Sequence, residues 1–238
     1  MAIYVVTSPK VWFAQYKLDT DMIAYAADYG AEMQDNSVFG DTTRSRLGGM
    51  KTLALSLEGF ANTSNSDVAL FGAVGVQNKP ITIGPITGAE DETGFCMQAT
   101  VGEYSPGGAL GEMFKFSASA ENSDGQSGLI KGTILLNRTA TESSSTTANQ
   151  LGAVTADQKL YAALHVTAFT GSTLDVKVQS DDNSGMSSAS DRITFTQATD
   201  VTSEWATPVA GAITDDYWRI DFTFSGTTFT AGVFVGIQ

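Results

Sequence analysis

The chain has 238 residues, of which 42% are hydrophobic and 16% are charged, so it can bury a sizeable core and lacks the composition of a disordered chain. It carries 26 acidic and 13 basic residues, a formal net charge of −13, and residues 1–141 and 142–238 are both acidic. Stable nucleic-acid binding depends on clusters of Lys and Arg, and the chain has none, so this composition argues against such a function. An acidic surface that DNA passes without binding is compatible with the charge, because like charges repel.

The clearest pattern along the chain is the alternation of apolar and polar residues that is typical of half-buried β-strands. A weak helical pattern over 19–33 is outweighed by this tendency, and we predict an extended segment there. The turn-prone run "SVFGDTTRSRLGG" (37–49) follows, and it predicts that Arg44 and Arg46 lie in a loop. In "TLALSLE" (52–58) every second residue is Leu, which predicts a strand with one buried face.

One helix is predicted in the first half of the chain. In "NTSNSDVALFGAVG" (62–75), Ser66 or Asp67 can act as N-cap, and Gly75 can end the helix. Further strands are predicted over four segments: 79–86, 94–104, 111–121 and 128–137. In the third of these, Phe114 and Phe116 fall on one face and Lys115 and Ser117 on the other, which predicts a half-buried strand that faces either solvent or a neighbouring subunit.

The hydroxyl-rich run Thr139–Thr155 has no periodicity and almost no large apolar residues. It predicts a linker at 142–155 between a first domain, 1–141, and a second domain, 156–238. Strand patterns resume after it over five segments: 158–169, 172–182, 191–199, 215–226 and 227–237. The spacing of these segments between Gly, Ser and Asp turns predicts a small antiparallel β-sandwich.

Residues that could perform chemistry are few. The single cysteine, Cys96, excludes an intramolecular disulfide and lies in an apolar strand pattern, and the single histidine, His165, cannot form a metal cluster or a catalytic dyad by itself. The acidic run 180–185 lacks the alternating ligands of a Ca²⁺ loop and predicts a solvated turn. We therefore predict no enzymatic activity, no metal and no cofactor. No apolar run is long enough for a transmembrane helix and no secretory signal is evident, which predicts no membrane insertion.

The aromatic residues near the C-terminus suggest one further kind of site. In "YWRIDFTF" (217–224), Trp218 alternates with other apolar residues and is predicted to be buried, so that Tyr217 and Arg219 point outward. Exposed aromatic residues on a β-sandwich can stack on sugars. Tyr217 and Arg219 are therefore a possible glycan contact.

Four segments of the first half resemble the major tail proteins, or tail tube proteins, of long-tailed, non-contractile bacteriophages. These are "SVFGDTTRSRLGGMKTLALSLEGF", "SDVALFGAVG", "GEYSPGGALGEMFKFSASAEN" and "SGLIKGTILLNRT", which occur in this order within residues 1–140. The segments of the second half are similar, less specifically, to modules of phage virion proteins. None of these patterns is catalytic.

The resemblance implies a mainly β fold, with a tail-tube-type β-sandwich or barrel, one flanking helix and a C-terminal β-sandwich that decorates the outside. It implies a virion protein, made in the host cytoplasm, whose hexameric rings stack into a tube through which DNA passes transiently. Its partners would be copies of itself and other tail proteins at the tube ends. Arg44 and Arg46 would then contact acids of an adjacent subunit. The alternatives are a carbohydrate-binding or adhesin module of the virion and, least favoured, a polysaccharide-degrading enzyme, for which no acid–base pair is evident.

Overall fold

The strands of the protein belong to one extended β-sheet system. The computed structural model describes residues 8–40, 42–125 and 127–238. In the first half the strands are β1 (Lys10–Phe13), β2 (Tyr16–Lys17), β3 (Met22–Asp35), β4 (Arg46–Phe60), β5 (Lys79–Gly84), β6 (Thr93–Gly107), β7 (Lys115–Asn122) and β8 (Ile130–Ala140). In the second half they are β9 (Ser144–Ser145), β10 (Asn149–Gln150), β11 (Lys159–Asp181), β12 (Ser190–Thr194), β13 (Thr202–Trp205), β14 (Val209–Ala210) and β15 (Tyr217–Ile237).

The strands follow one another across the sheet in the order β12-β11-β15-β8-β6-β5-β1-β2. A branch leaves this path at β6, which also pairs with β7; β7 pairs with β4, and β4 with β3. The described residues form one helix, α1 (Ser66–Phe71). The predicted fold class, mainly β with one flanking helix, is confirmed. The extended segment predicted at 19–33 is also confirmed, since most of it belongs to β3.

The predicted alternation in the first half matches the buried faces, with one difference. Leu53, Leu55 and Leu57 of β4 are buried, and their neighbours are exposed. Phe116 is buried as the pattern predicts, but Phe114 is exposed because it belongs to the loop before β7. In α1 the residues that pack inward are Ala69 and Leu70.

Two large hydrophobic clusters form the core. One consists of residues from 11–120, among them Leu55, Leu70 and Phe116, and the other consists of residues from 135–235, among them Trp218. The burial of Trp218 agrees with the prediction from its strand pattern. A smaller cluster joins Cys96 and Ile130 of the first half to Tyr161, Ala163 and Phe234 of the second.

The two longest strands, β11 and β15, pair with each other along almost their whole length. Sequence analysis predicts a turn within each of them, at Gly171 and Gly226, and the structure shows that both strands continue. The register shifts at Gly171, where the two glycines are paired. A Cβ on Gly226 would lie 2.3 Å from the Cα of Gly171, so the missing side chains allow the two backbones to approach closely at this irregularity.

The segment 142–155, predicted to be a linker, contains β9 and β10, and both pair with β15. Thr146 also donates its backbone N–H to the carbonyl of Ile220. Strand β8 of the first half pairs with β15 of the second. The division into domains 1–141 and 156–238 stays a prediction, although Leu135 and Leu136 of β8 belong to the second cluster.

A buried carboxylate that the sequence analysis did not single out fixes the position of α1. Asp21, 6% exposed, accepts hydrogen bonds from the side chains of Thr20, Asn62 and Asn65 and from the backbone N–H of Ser66. Three of these donors are more than forty residues away in sequence. Asp21 thus ties the start of β3 to the first turn of the helix.

We expect Asp21→Ala to lower the free energy of unfolding by roughly 3 kcal/mol, because it leaves several buried donors without an acceptor. Asp21→Asn, which keeps one acceptor oxygen and the side-chain volume, should have a smaller effect. Urea unfolding followed by circular dichroism measures both. A loss below about 1 kcal/mol for the alanine variant would show that water or other groups satisfy these donors.

Candidate assembly surface

The four strands of the branch, in the order β3-β4-β7-β6, form a sheet with two different faces. One face carries Leu55, Leu57, Phe116 and Ala118 and packs on the core that includes α1. The other face is open along its length in the described residues. We call it the open face.

The open face is made of small, hydroxyl-bearing and acidic side chains. Its exposed residues, by register and burial, are Ala24, Ala26, Asp28, Thr52, Ala54, Ser56, Glu58, Glu103, Ser105, Lys115, Ser117, Ser119 and Glu121. A register shift between Val101 and Glu103 turns the end of β6 so that Glu103 points to this face and Tyr104 to the core. Four acids and one lysine make this surface predominantly negative.

Both sides of this sheet end in strand edges that are not fully paired. Among the described residues, β3 pairs with β4 alone, so its outer edge is free over Met22–Asp35. On the other side, the outer edge of β6 pairs with β5, and this pairing ends at Ala99. From residue 100 to Gly107, the outer edge of β6 has no partner strand among the described residues, apart from an isolated bridge between Val74 and Val101. Free edges of this length are templates for pairing with another chain.

Strands β3 and β4 continue beyond the rest of the sheet as a hairpin, which we call the arm. Strand β7 ends at a pair with β4 at Ala54, whereas β4 begins at Arg46. The eight residues between them span about 25 Å. Residues 28–40 and 42–52 are all exposed, and they include Met33, Phe39, Leu47 and Met50. The arm therefore presents apolar side chains that the described part of the chain does not cover.

Arg44 and Arg46 lie together near the end of the arm. Arg44 is in the connection between the two strands, as predicted, whereas Arg46 is the first residue of β4, which begins before Gly48 and Gly49. Both are exposed. In the described ranges, the ion pairs are Lys10–Asp19, Arg138–Glu90, Lys177–Asp191 and Arg192–Asp215, so neither arginine takes part in one.

Tyr217 and Arg219 lie elsewhere, on β15, and both are partly buried. Arg219 donates from Nε to Oε1 of Gln179 at 2.9 Å. Neighbouring side chains are also engaged, since Asp221 accepts from Ser145 and Gln179 donates to Asp191. The structure thus places Arg219 in a network of polar side chains, and the role of Tyr217 and Arg219 in glycan binding stays a prediction.

The single cysteine and the single histidine meet through Thr82 inside the protein. The Thr82 hydroxyl lies 3.1 Å from Sγ of Cys96 and 2.8 Å from Nε2 of His165, and Nδ1 of His165 lies 2.7 Å from the carbonyl oxygen of Ala14. Because a carbonyl can only accept, Nδ1 carries the proton and Nε2 accepts from Thr82. Burial raises the pKa of Cys96 to about 12 and lowers that of His165 to about 4, so both are neutral at pH 7. A neutral, fully buried thiol is not a nucleophile.

The acidic turn predicted at 180–185 is a local structural feature. The buried carboxylate of Asp181 accepts from the backbone N–H groups of Ser188 and Asn183, and the hydrogen bond from Ser188 is the main reason that its pKa is lowered. The hydroxyl of Ser180 and then the guanidinium of Arg192 lower the pKa of Asp215. Within the described residues, no group of three or more His, Cys, Asp or Glu side chains is arranged to hold a metal ion. No helix of the described chain is long and apolar enough to cross a membrane.

Comparison with known proteins yields a likeness in structure only. No family model matches the chain. No curated protein matches it either. Among solved structures, the chain is similar to the crystal structure of the SPP1 Dit (gp 19.1) protein, described as a paradigm of the hub adsorption apparatus in phages that infect Gram-positive bacteria. The identity is 8%, the TM-score is 0.41, and the match covers 98% of this chain and all of the other. At this level of similarity, the functional argument depends on the chain's own geometry.

Proposed function

We propose that the protein is a structural component of a phage tail, whose copies join edge to edge into closed rings and form the tube through which DNA passes. The observation that carries the proposal is the pair of edges on opposite sides of the sheet β3-β4-β7-β6 that have no partner strand among the described residues. The two edges are unlike, so their contact between copies is heterologous, and such contacts form rings when the rotation closes. The resemblance of residues 1–140 to tail tube proteins supports the same function.

The directions of the strands fit this contact. Neighbouring strands of the four-stranded sheet are antiparallel, so β3 and β6 run in opposite directions. The free edge of β6 in one copy and that of β3 in the next would therefore continue the antiparallel alternation without a break. Ring closure would remove both free edges, which otherwise expose the protein to aggregation.

Six copies would contribute 24 strands to such a ring. At about 4.8 Å between strands, the circumference is about 115 Å and the diameter about 37 Å before strand tilt, which leaves room for a DNA duplex. The face that is free to line this channel is the open face, because the opposite face is covered by the core. Its acids, Asp28, Glu58, Glu103 and Glu121, would repel the phosphates of the DNA.

The covered face packs on residues of α1, β1 and β5, and residues 156–238 would surround the ring as an outer layer. The proposal thus keeps the C-terminal part as external decoration. Other tail proteins would bind at the ends of the tube. In this assembly, Arg44 and Arg46 are available for contacts between copies.

Proline substitutions in β3 test the edge contact with a built-in control. Successive backbone N–H groups of a strand point to opposite edges. One of the two variants Ala26→Pro and Ala27→Pro therefore loses a hydrogen bond to β4, and the other loses only a donor at the free edge. We expect the variant that loses only the donor at the free edge to stay folded and monomeric, whereas the wild-type protein forms rings. Circular dichroism reports folding, and sedimentation velocity with negative-stain microscopy reports assembly.

If the Ala26→Pro variant and the Ala27→Pro variant both fold and both form rings, the free edge of β3 is not the contact between copies. A wild-type protein that remains monomeric at high concentration would overturn the proposed function.

A further inference from the structure

A cavity lies where the root of the arm meets the second half of the chain. Its volume is about 380 Å³, which is within the range of small-molecule sites. By the alternation along β4, Lys51 is on the same side of the sheet as the buried Leu53, so the cavity is on the side opposite to the open face. Its walls include Tyr29 and Lys51 of the arm, Asn122 at the end of β7, Gly128 before β8, and Tyr161 and Gln238 of the second half.

The hydroxyl of Tyr161 is a buried donor that opens into this cavity. The side chain is 8% exposed, and its ring packs at 6.2 Å from the ring of Trp205. The hydroxyl has no hydrogen-bond partner among the described residues, and no completely buried polar side-chain atom in them is without one, so it must be reached through the cavity. Burial, and secondly the carboxylate of Asp124, raise the pKa of Tyr161, so the hydroxyl keeps its proton and can donate. A buried tyrosine hydroxyl usually has a partner, which a ligand would supply here.

Tyr29 and Lys51 form the second wall of the cavity. The Nζ atom of Lys51 lies 5.8 Å from the centre of the Tyr29 ring, and Lys51 takes part in none of the ion pairs of the described residues. A Cβ on Gly128 would lie 2.9 Å from the Tyr29 hydroxyl, so the glycine allows the aromatic ring to lie against the backbone. The wall thus presents an aromatic ring together with a cation that has no carboxylate partner.

This combination of groups fits a sugar that carries one negative charge. The C–H face of a sugar packs on an aromatic ring, and its hydroxyls bond to groups such as the Tyr161 hydroxyl and the Gln238 amide. Gln238 is fixed for this purpose by two backbone hydrogen bonds with Lys159. A nucleotide would require more, because phosphates are usually bound by several backbone N–H groups of a glycine-rich loop or a helix N-terminus. Helix α1 lines no part of the cavity.

We propose that this cavity binds a sugar unit that bears a carboxylate, the chemistry of a uronic acid. The sugar ring packs on Tyr29, its hydroxyls bond to Tyr161 and Gln238, and its carboxylate pairs with Lys51. This binding function goes beyond the formation of a tube. All the residues of the cavity belong to one copy, so binding does not depend on the assembly of rings.

The test is titration of the full chain with glucuronate and with galacturonate, followed by calorimetry and by saturation-transfer NMR. For a ligand of this size we expect a Kd of about 1 mM for at least one of them. Glucose, which differs from glucuronate only at the carboxylate, should bind about tenfold more weakly than glucuronate if glucuronate is the better ligand, and galactose serves in the same way for galacturonate.

Two variants identify the groups that bind. Lys51→Met keeps the length of the side chain and should weaken uronate binding about tenfold without a change for the neutral sugar. Tyr161→Phe should weaken both about fivefold and leave the midpoint of thermal unfolding unchanged, because the hydroxyl has no partner in the described part of the chain. The matched control is Lys131→Met, an exposed residue that lines a different groove with Thr93 and Leu151.

Absence of binding by both uronates at about tenfold above the expected Kd would overturn the inference. Equal binding of a uronate by the wild type and by Lys51→Met would also overturn it, as would equal loss in Lys131→Met. Uridine monophosphate that binds more tightly than either uronate, and does so through Lys51, would show that the cavity is a nucleotide site instead.

Discussion

Deletion of residues 142–238 should abolish the cooperative fold of what remains, and this is the largest effect we expect from any change in the chain. The deletion removes β15, which covers one side of β8 from residue 132 to residue 140. It exposes Leu135 and Leu136, which are fully buried in the second cluster, and uncovers Trp12, which packs against Gly232. Each large apolar side chain that is exposed removes about 1.5–3 kcal/mol, so a few of them exceed the 5–15 kcal/mol by which a native domain is stable.

Thermal unfolding of the purified fragment 1–141, followed by near-ultraviolet circular dichroism, measures this effect. Coexpression of residues 142–238 as a separate chain is the control, since the two pieces should associate through β8 and β15 and recover a folded complex. A cooperative transition for the fragment alone would support the predicted division into two independent domains. We expect a single cooperative unit, because β8 of the first part pairs with β15 of the second.

Much of the strand pattern could be predicted because it depends on neighbouring residues. The alternation of Leu53, Leu55 and Leu57 requires only that one face of a strand is buried, and the same holds for Trp218 in β15. Likewise, the turn residues around Arg44 predicted an exposed loop. The alternation of apolar and polar residues is a strong signal when only one face of a strand is buried.

The features that sequence analysis mispredicted or did not predict depend on contacts between distant segments. Gly171 and Gly226 have the composition of turns, but pairing between two long strands overrides that preference and uses the glycines for close approach. Asp21 carries no local signal, because three of its four partners come from residues 62–66. The free edges of β3 and β6 also depend on which strands pair, and pairing partners cannot be read from alternation alone.

The structure adds one prediction about pH that composition alone could not supply. His165 of β11 joins Ala14 and Thr82 of the first half to the second half, and it is fully buried. Burial lowers its pKa from the usual 6.5 to about 4, although the hydrogen bond to the Ala14 carbonyl acts in the opposite direction. Between these two values the unfolded chain binds a proton that the folded chain does not bind, so acidification favours unfolding.

We therefore expect the free energy of unfolding to fall by about 3 kcal/mol as the pH decreases from 7 to 4, with most of the loss between pH 6 and pH 4.5. His165 is the only histidine in the chain, and histidine is the side chain whose ordinary pKa lies between pH 5 and pH 8. Urea unfolding at a series of pH values measures the slope, and His165→Gln is the control.

That variant loses stability at pH 7 because its amide cannot reproduce both hydrogen bonds, but its stability should be nearly independent of pH between 6 and 5. An equal slope in the variant would assign the effect to carboxylates, and a flat profile in the wild type would mean that the buried imidazole accepts a proton without loss of the fold.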